Sequence, residues 1–251
     1  MARIDDYQQA RDLAAQALAG ETLEAIAERS GLTMEDGHLG VAFLDRAYRI
    51  SYPGFQFQDV ADPGAQVPLQ EQVLILHYLQ GSQNRLTGRW IAYREIPGAS
   101  FYFGPFMQRA VEPLKKVFGA NTKALHKAAA KLNATPIATS FAAFQCDLLP
   151  FAPIQIIVWE GDEEFPAEAN ILFHASVGDD LSPEDAAWLA SLTVYRLMAL
   201  GRKQPVLFQW AARPSSIAPS RLSGCRPFQI PVRSAFPPIR SITGIGPRRN
   251  R

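Results

Sequence analysis

The densest group of chemically competent residues is an acidic run, Asp162, Glu163 and Glu164, which follows an apolar segment at residues 154–159. The apolar segment predicts a buried strand. The three carboxylates therefore stand at the end of that strand, where their mutual repulsion requires a counter-charge or water. Such a cluster can bind a hard cation such as Mg²⁺ or Ca²⁺. It can also form a solvated turn or hold an arginine through two parallel hydrogen bonds, and the sequence leaves all three alternatives open.

Arg94 is the candidate counter-charge, because it lies in a second predicted strand at residues 90–96 that could adjoin the first. Trp90 and Trp159 would then supply flat apolar walls for a ligand. His174 follows the acidic run closely and is the histidine most worth testing. No catalytic residue and no metal ligand is assigned. The predicted ligand-binding residues are Trp90, Arg94, Trp159, Asp162, Glu163, Glu164 and His174.

Familiar catalytic and cofactor motifs do not occur in the sequence. The four histidines never pair at i, i+4, and no glycine-rich phosphate loop or G-x-S-x-G nucleophile motif is present. Cys146 and Cys225 have no metal-binding spacing, and nothing nearby would activate either thiol. His77 lies on the most apolar predicted helix, which favours a core histidine bonded to a carbonyl over a ligand-binding one. Whether the protein is an enzyme stays open, and its cofactor is unknown.

The elements that must position these residues mix helices and strands without a regular βα alternation. Apolar periodicity predicts an α+β fold with a mainly antiparallel sheet packed with several helices around a single core. Predicted helices cover residues 6–29 in two parts, 68–79, 105–118 with a kink at Pro113, 122–132 and 182–200. Predicted strands cover a meander at 39–57, then 90–96, 137–148 and 154–159.

Charge divides the chain into two parts. Residues 211–251 contain eight arginines and no Asp, Glu or Lys, which leaves seventeen basic and twenty-four acidic residues in 1–210, a net charge of −7. The C-terminal part is also rich in proline and serine and has no hydrophobic periodicity. We therefore predict one domain at 1–210 and a disordered tail at 211–251. A passive tail, a nucleic-acid-binding tail and a reading-frame artefact are the alternatives for it.

Composition also bounds the location and the partners of the protein. No apolar run approaches the ~20 residues of a membrane span, and the N-terminus has no apolar centre typical of an export signal. Two cysteines without a disulfide pattern favour a cytoplasmic protein. The scattered arginines of 211–251, with few aromatic residues to stack on bases, argue against nucleic acid. A helix-turn-helix start at 24–33 is followed by glycines and strand periodicity, which argues against DNA reading. The expected partner is a small molecule or a protein.

Several stretches in order resemble a known family, the domain of unknown function numbered 3786, over roughly residues 10–200. They are 76–79 (LHYL), 86–91 (LTGRWI), 93–98 (YREIPG), 159–166 (WEGDEEFP), 169–173 (ANILF) and 181–185 (LSPED). The resemblance implies no established activity. Some members carry a cysteine-rich cluster domain similar to that of corrinoid iron–sulfur proteins, and this chain lacks those cysteines. Where members often have Asp after the fifth stretch, this chain has His174.

Three functional hypotheses follow from the residues and the resemblance. The first is an accessory protein that binds a ligand or a partner. The cluster domain that some family members carry implies a corrinoid or another tetrapyrrole as the ligand. The second is a metal-assisted enzyme that uses Asp162, Glu163 and Glu164. The third is a purely structural interaction protein, which would present a large apolar surface patch.

Overall fold

A computed structural model describes residues 4–81 and 86–202 of the chain. The helices are α1 (Ile4–Leu18), α2 (Leu23–Ser30), α3 (Leu69–Gln80), α4 (Phe103–Phe106), α5 (Glu112–Phe118), α6 (Thr122–Lys131), α7 (Val177–Asp180) and α8 (Pro183–Gly201). The strands are β1 (Thr33–Glu35), β2 (His38–Phe43), β3 (Arg46–Ser51), β4 (Phe57–Asp59), β5 (Trp90–Ala92), β6 (Thr135–Pro136), β7 (Ala142–Cys146), β8 (Ile154–Trp159) and β9 (Glu168–His174).

The strands form two antiparallel sheets. The first is a meander in the order β1-β2-β3-β4, and the second has the order β5-β9-β8-β7-β6. Asp36 and Gly37 both have positive φ between β1 and β2, as the tightest hairpin turns require. The predicted α+β class, with antiparallel pairing throughout both sheets, is confirmed.

One hydrophobic cluster joins the two sheets to the helices. The inner side chains of β8, among them Ile154, Ile156 and Val158, are fully buried, and α5 and α6 pack against this sheet. Helix α8 lies against α3, α5 and α6, and nine of its nineteen residues are buried. Its packing brings the N-terminus of α8 beside α3. Among the described residues, no helix has the length and the apolar content needed to cross a membrane.

Most predicted helix boundaries are confirmed, with shifts of one or two residues. Thr22 accepts a hydrogen bond from the Ala25 amide and caps α2, and Ser182 caps α8 in the same way through the Asp185 amide. Helix α6 begins at Thr122, as predicted, and its cap is Asn121, whose side chain accepts a hydrogen bond from the Ala124 amide at 3.1 Å. Short polar side chains at these positions satisfy amides that the first helical turn leaves unpaired.

Three predicted elements differ from the structure. The strand predicted at 137–148 is confined to β7, at Ala142–Cys146. The strand at 90–96 ends at Ala92, because the Glu95 carboxylate accepts a hydrogen bond from the Ala92 amide at 2.8 Å and closes a 3₁₀ turn at Tyr93–Glu95. The helix at 105–118 is interrupted by a π-type turn at Met107–Val111, directly before Pro113. A proline inside a helix lacks the N–H that the regular hydrogen-bond ladder needs, and a wider turn accommodates it.

Candidate functional site

A histidine–aspartate pair joins the C-terminal half of α3 to the first turn of α8. The Nδ1 atom of His77 lies 2.9 Å from Oδ1 of Asp185, although the two residues are 108 positions apart in the chain. The other carboxylate oxygen, Oδ2, accepts a hydrogen bond from the Ser182 hydroxyl at 2.7 Å. Ser182 in turn accepts from the Asp185 amide, so the helix cap fixes the carboxylate that orients His77.

The pair sets the protonation chemistry of the imidazole. The hydrogen bond from Asp185 raises the pKa of His77, burial acts in the opposite direction, and the charges of Asp185 and Glu184 raise it further. Because Nδ1 donates to the carboxylate, the neutral ring carries its lone pair on Nε2. This nitrogen has no hydrogen-bond partner within the described part of the chain. His77 therefore offers a basic nitrogen that a ligand or water can contact.

His77 and Asp185 face a cavity of about 220 Å³, here called the dyad cavity. On α1 and α3, an apolar wall of Tyr7, Ala10, Val73 and Leu74 is flanked by polar residues. The start of α8 supplies further polar groups. Its lining residues are Asp6, Tyr7, Ala10, Gln70, Val73, Leu74, His77, Ser182, Glu184, Asp185 and Trp188. A small cavity with an apolar wall and a few converging polar groups is typical of small-molecule sites.

A second cavity of about 150 Å³ adjoins the dyad cavity, since Glu184 and Trp188 line both. The Arg109 guanidinium lies 5.7 Å from the centre of the Trp188 ring on this side. Tyr7 meets the same ring edge-on, with 5.9 Å between the ring centres. The Glu184 carboxylate lies beside Tyr102 and raises the pKa of its hydroxyl. The two cavities thus share one aromatic wall, with charged groups of both signs around it.

The acidic run forms a turn in which backbone amides donate hydrogen bonds to one of its three carboxylates. Oδ1 of Asp162 accepts hydrogen bonds from the amides of Glu164 at 2.9 Å and Phe165 at 2.7 Å. These bonds lower the pKa of Asp162. Glu163 and Glu164 are exposed. The geometry is that of a solvated turn held by its own backbone, which is one of the three alternatives that the sequence left open.

The structure does not bring Arg94 to this turn. The β5 strand pairs with the far end of β9, where Trp90 lies opposite His174, whereas Trp159 lies opposite Glu168. The length of β9 separates the two ends by roughly 20 Å. Arg94 itself follows β5 in the 3₁₀ turn and places its guanidinium 3.9 Å from the centre of the Phe103 ring.

The remaining predicted residues divide between two structural settings. His174 is buried, and its Nε2 accepts hydrogen bonds from the amides of Thr87 at 2.9 Å and Gly88 at 3.0 Å. Burial lowers the pKa of His174. Trp90 packs edge-on against this imidazole, at 5.8 Å between ring centres. Trp159 is 37% exposed and contacts Phe141 at the other end of the sheet. That these residues form one ligand site stays a prediction. The structure does not bring them together.

The part of the chain that the structure describes contains no cluster of metal ligands. No group of three or more His, Cys, Asp or Glu side chains there converges as a metal ion requires. Cys146 is buried, and burial raises the pKa of its thiol to about 12. A thiol with that pKa is inert at neutral pH.

A larger cavity, about 710 Å³, is a groove on the outer face of the meander. Its floor contains small residues, Gly40, Ala42 and Ala47, and its polar groups already contact one another. Arg49 lies 3.3 Å from Nδ1 of His38 and 4.0 Å from Asp36. Size therefore favours the groove as a ligand site, whereas the available basic nitrogen of His77 favours the dyad cavity.

The sequence alone predicts structural roles for His77 and Asp185. His77 was predicted to be a core histidine bonded to a carbonyl, which is wrong because it is half-buried and binds a carboxylate. Asp185 was recognised only as an acid at a helix start. The available signal was that both residues fall in stretches that carry the family resemblance, 76–79 and 181–185.

Comparison with known proteins gives one match. The model of a family described as "Domain of unknown function (DUF3786)" matches residues 22–196, which include α2 to α7, both sheets and most of α8. No curated protein matches the chain. No solved structure matches it either.

Proposed function

Since the chain belongs to the DUF3786 family, whose description assigns no activity, we propose from the geometry that it binds a small polar organic molecule in the dyad cavity. The observation that carries the proposal is the His77–Asp185 pair, which orients an unpartnered Nε2 beside a cavity of about 220 Å³. In this function the apolar wall excludes water from one side of the ligand, and His77 accepts a proton or a hydrogen bond from it.

The chemistry of the pair supports this proposal. A carboxylate held at both oxygens keeps the imidazole in one tautomer and stabilises the protonated ring when a proton arrives. The Ser182 cap and the rigid start of α8 supply that support here. If the His77–Asp185 pair served only to join α3 and α8, it would not need a cavity beside Nε2 of His77.

The test is a titration of the ¹⁵N-labelled protein with butylamine, butyrate and butyramide, three probes of one size and three charges. We expect at least one probe to shift the amide signals of residues 70–77 and 182–188 saturably. Ala10→Phe, which fills the cavity, should abolish these shifts, whereas Ala120→Phe, on an exposed position, should leave them unchanged. Shifts that are absent for all three probes, or that survive Ala10→Phe, contradict the proposal.

A tetrapyrrole or corrinoid ligand is a prediction from the family resemblance, and the geometry favours a smaller molecule. The expected aromatic walls, Trp90 and Trp159, lie at opposite ends of β9. The acidic turn likewise gives no support to metal-assisted chemistry, because its amide-bound carboxylate and its two exposed ones do not converge. Added cobalamin or haem should therefore produce no protein-dependent change in its visible absorption spectrum.

A further inference from the structure

Arg109 and Glu184 carry opposite charges and line the same 150 Å³ cavity, yet neither belongs to an ion pair within the described residues. The Arg109 guanidinium contacts the Trp188 ring. The Glu184 carboxylate lies beside Tyr102 and raises its pKa. Each of these two charges can therefore receive an oppositely charged group of a ligand.

The two cavities differ in the charged side chains that line them. The dyad cavity is lined by three carboxylates, those of Asp6, Glu184 and Asp185, and by one imidazole. The adjoining cavity is lined by the guanidinium of Arg109 together with Glu184. An ammonium group is therefore favoured in the dyad cavity and a carboxylate beside Arg109. Trp188 forms part of both walls, so one short molecule can reach both regions.

We propose, on the premise that the dyad cavity binds a small molecule, that its ligand is a compact zwitterion of the amino-acid type. Its ammonium group lies among Glu184, His77 and the Trp188 ring, and its carboxylate forms parallel hydrogen bonds with Arg109. The neutral imidazole accepts a hydrogen bond from the ammonium at Nε2, and the indole face stabilises the cation. The short carbon chain then packs on Trp188 and Tyr7.

The experiment is isothermal titration calorimetry with 4-aminobutyrate and norvaline, compared with butylamine and butyrate. We expect one of the two zwitterions to bind at least tenfold more tightly than either singly charged probe. Arg109→Gln should reduce the affinity for the zwitterion to that for butylamine and leave butylamine binding within twofold. Glu184→Gln should weaken both butylamine and the zwitterion at least fivefold. Lys116→Gln and Glu163→Gln, which remove exposed charges elsewhere, are the matched controls.

The outcomes separate this inference from the function on which it rests. Butylamine that binds in the dyad cavity while neither zwitterion exceeds it overturns the zwitterion and leaves the small-molecule function standing. The same conclusion holds if Arg109→Gln changes zwitterion binding no more than Lys116→Gln does. Absence of binding by every probe overturns both. Circular dichroism and thermal melting establish that each variant is folded before its affinity is compared.

Discussion

At the scale of single residues, the same side-chain type serves opposite purposes in this fold. His77 is half-buried beside a carboxylate, which raises its pKa, whereas His174 is buried among backbone amides and burial lowers its pKa. His174 accepts two amide hydrogen bonds at Nε2, so that nitrogen is occupied and the ring stabilises the segment at 87–88. His77 keeps Nε2 available, and this difference assigns the chemistry to His77.

Replacing Asp185 with asparagine should lower the pKa of His77, since the hydrogen bond to this carboxylate is the largest cause of the raised pKa. A raised histidine pKa stabilises the folded state below the ordinary pKa, and the stabilisation is lost as the pH rises through the folded value. We therefore expect Asp185→Asn to cost roughly 0.5–1 kcal/mol more at pH 5.5 than at pH 8.5, a small figure because His77 is partly exposed. Urea unfolding at the two pH values measures the difference. An equal cost at both, with an unchanged His77 titration by NMR, contradicts the pairing.

Asp180 gives a pH dependence of the opposite kind. It is 5% exposed, its Oδ2 has no hydrogen-bond partner among the residues that the structure describes, and burial raises its pKa to about 7. A carboxyl with a raised pKa leaves stability undiminished below its ordinary pKa. Stability then falls as the pH rises from that value to about 7, and it stays reduced above 7. Asp180→Asn should therefore stabilise the protein by roughly 1–3 kcal/mol at pH 8.5 and by much less at pH 5. The exposed Asp147→Asn is the control in the same unfolding experiment, and a gain that is equal at both pH values refutes the account.

At the scale of elements, the end of α2 depends on one glycine. Gly31 has φ of +69°, and a Cβ there would lie 3.0 Å from two atoms of the Phe151 ring. Gly37 has a similar φ of +71° with no atom within 4 Å of the corresponding position. Both alanine variants bear the strain of a left-handed backbone, about 1 kcal/mol. We expect Gly31→Ala to cost roughly 1–2 kcal/mol beyond Gly37→Ala in urea unfolding. Equal costs would contradict the packing of α2 against Phe151.

Elements with a local signal could be predicted from the sequence, and those fixed by distant contacts could not. The Thr22 and Ser182 caps, the meander and the buried strand β8 follow from capping residues and periodicity alone. The early end of β5 could not be foreseen, because Glu95 turns back on the Ala92 amide where the residues also suit a strand. The order of the second sheet inserts β9 between β5 and β8, which separates Arg94 from the acidic turn. The His77–Asp185 pair depends on the same kind of long-range packing.

At the scale of the whole molecule, the hydrophobic cluster begins at Ala14 and ends at Leu197, inside the predicted domain at 1–210. The prediction for residues 211–251 lies outside the residues that the structure describes. We propose that 1–210 folds as an independent unit. A chain ending at Trp210 should keep its Tm within about 2 °C, because no cluster residue is lost. It should also carry a net charge of −7 in place of +1. A fall in Tm of more than about 5 °C would show that the predicted boundary is wrong.

The central claim is that His77 is the ligand-contacting histidine, and one spectrum tests it directly. A long-range ¹H–¹⁵N NMR experiment observes the imidazole nitrogens of all four histidines, so His38, His126 and His174 serve as controls in the same sample. On addition of butylamine, we expect the Nε2 signal of His77 to shift saturably while the other three rings stay unchanged, and Ala10→Phe to abolish the shift. A His77 signal that does not respond, or that moves no more than that of exposed His126, would contradict the account.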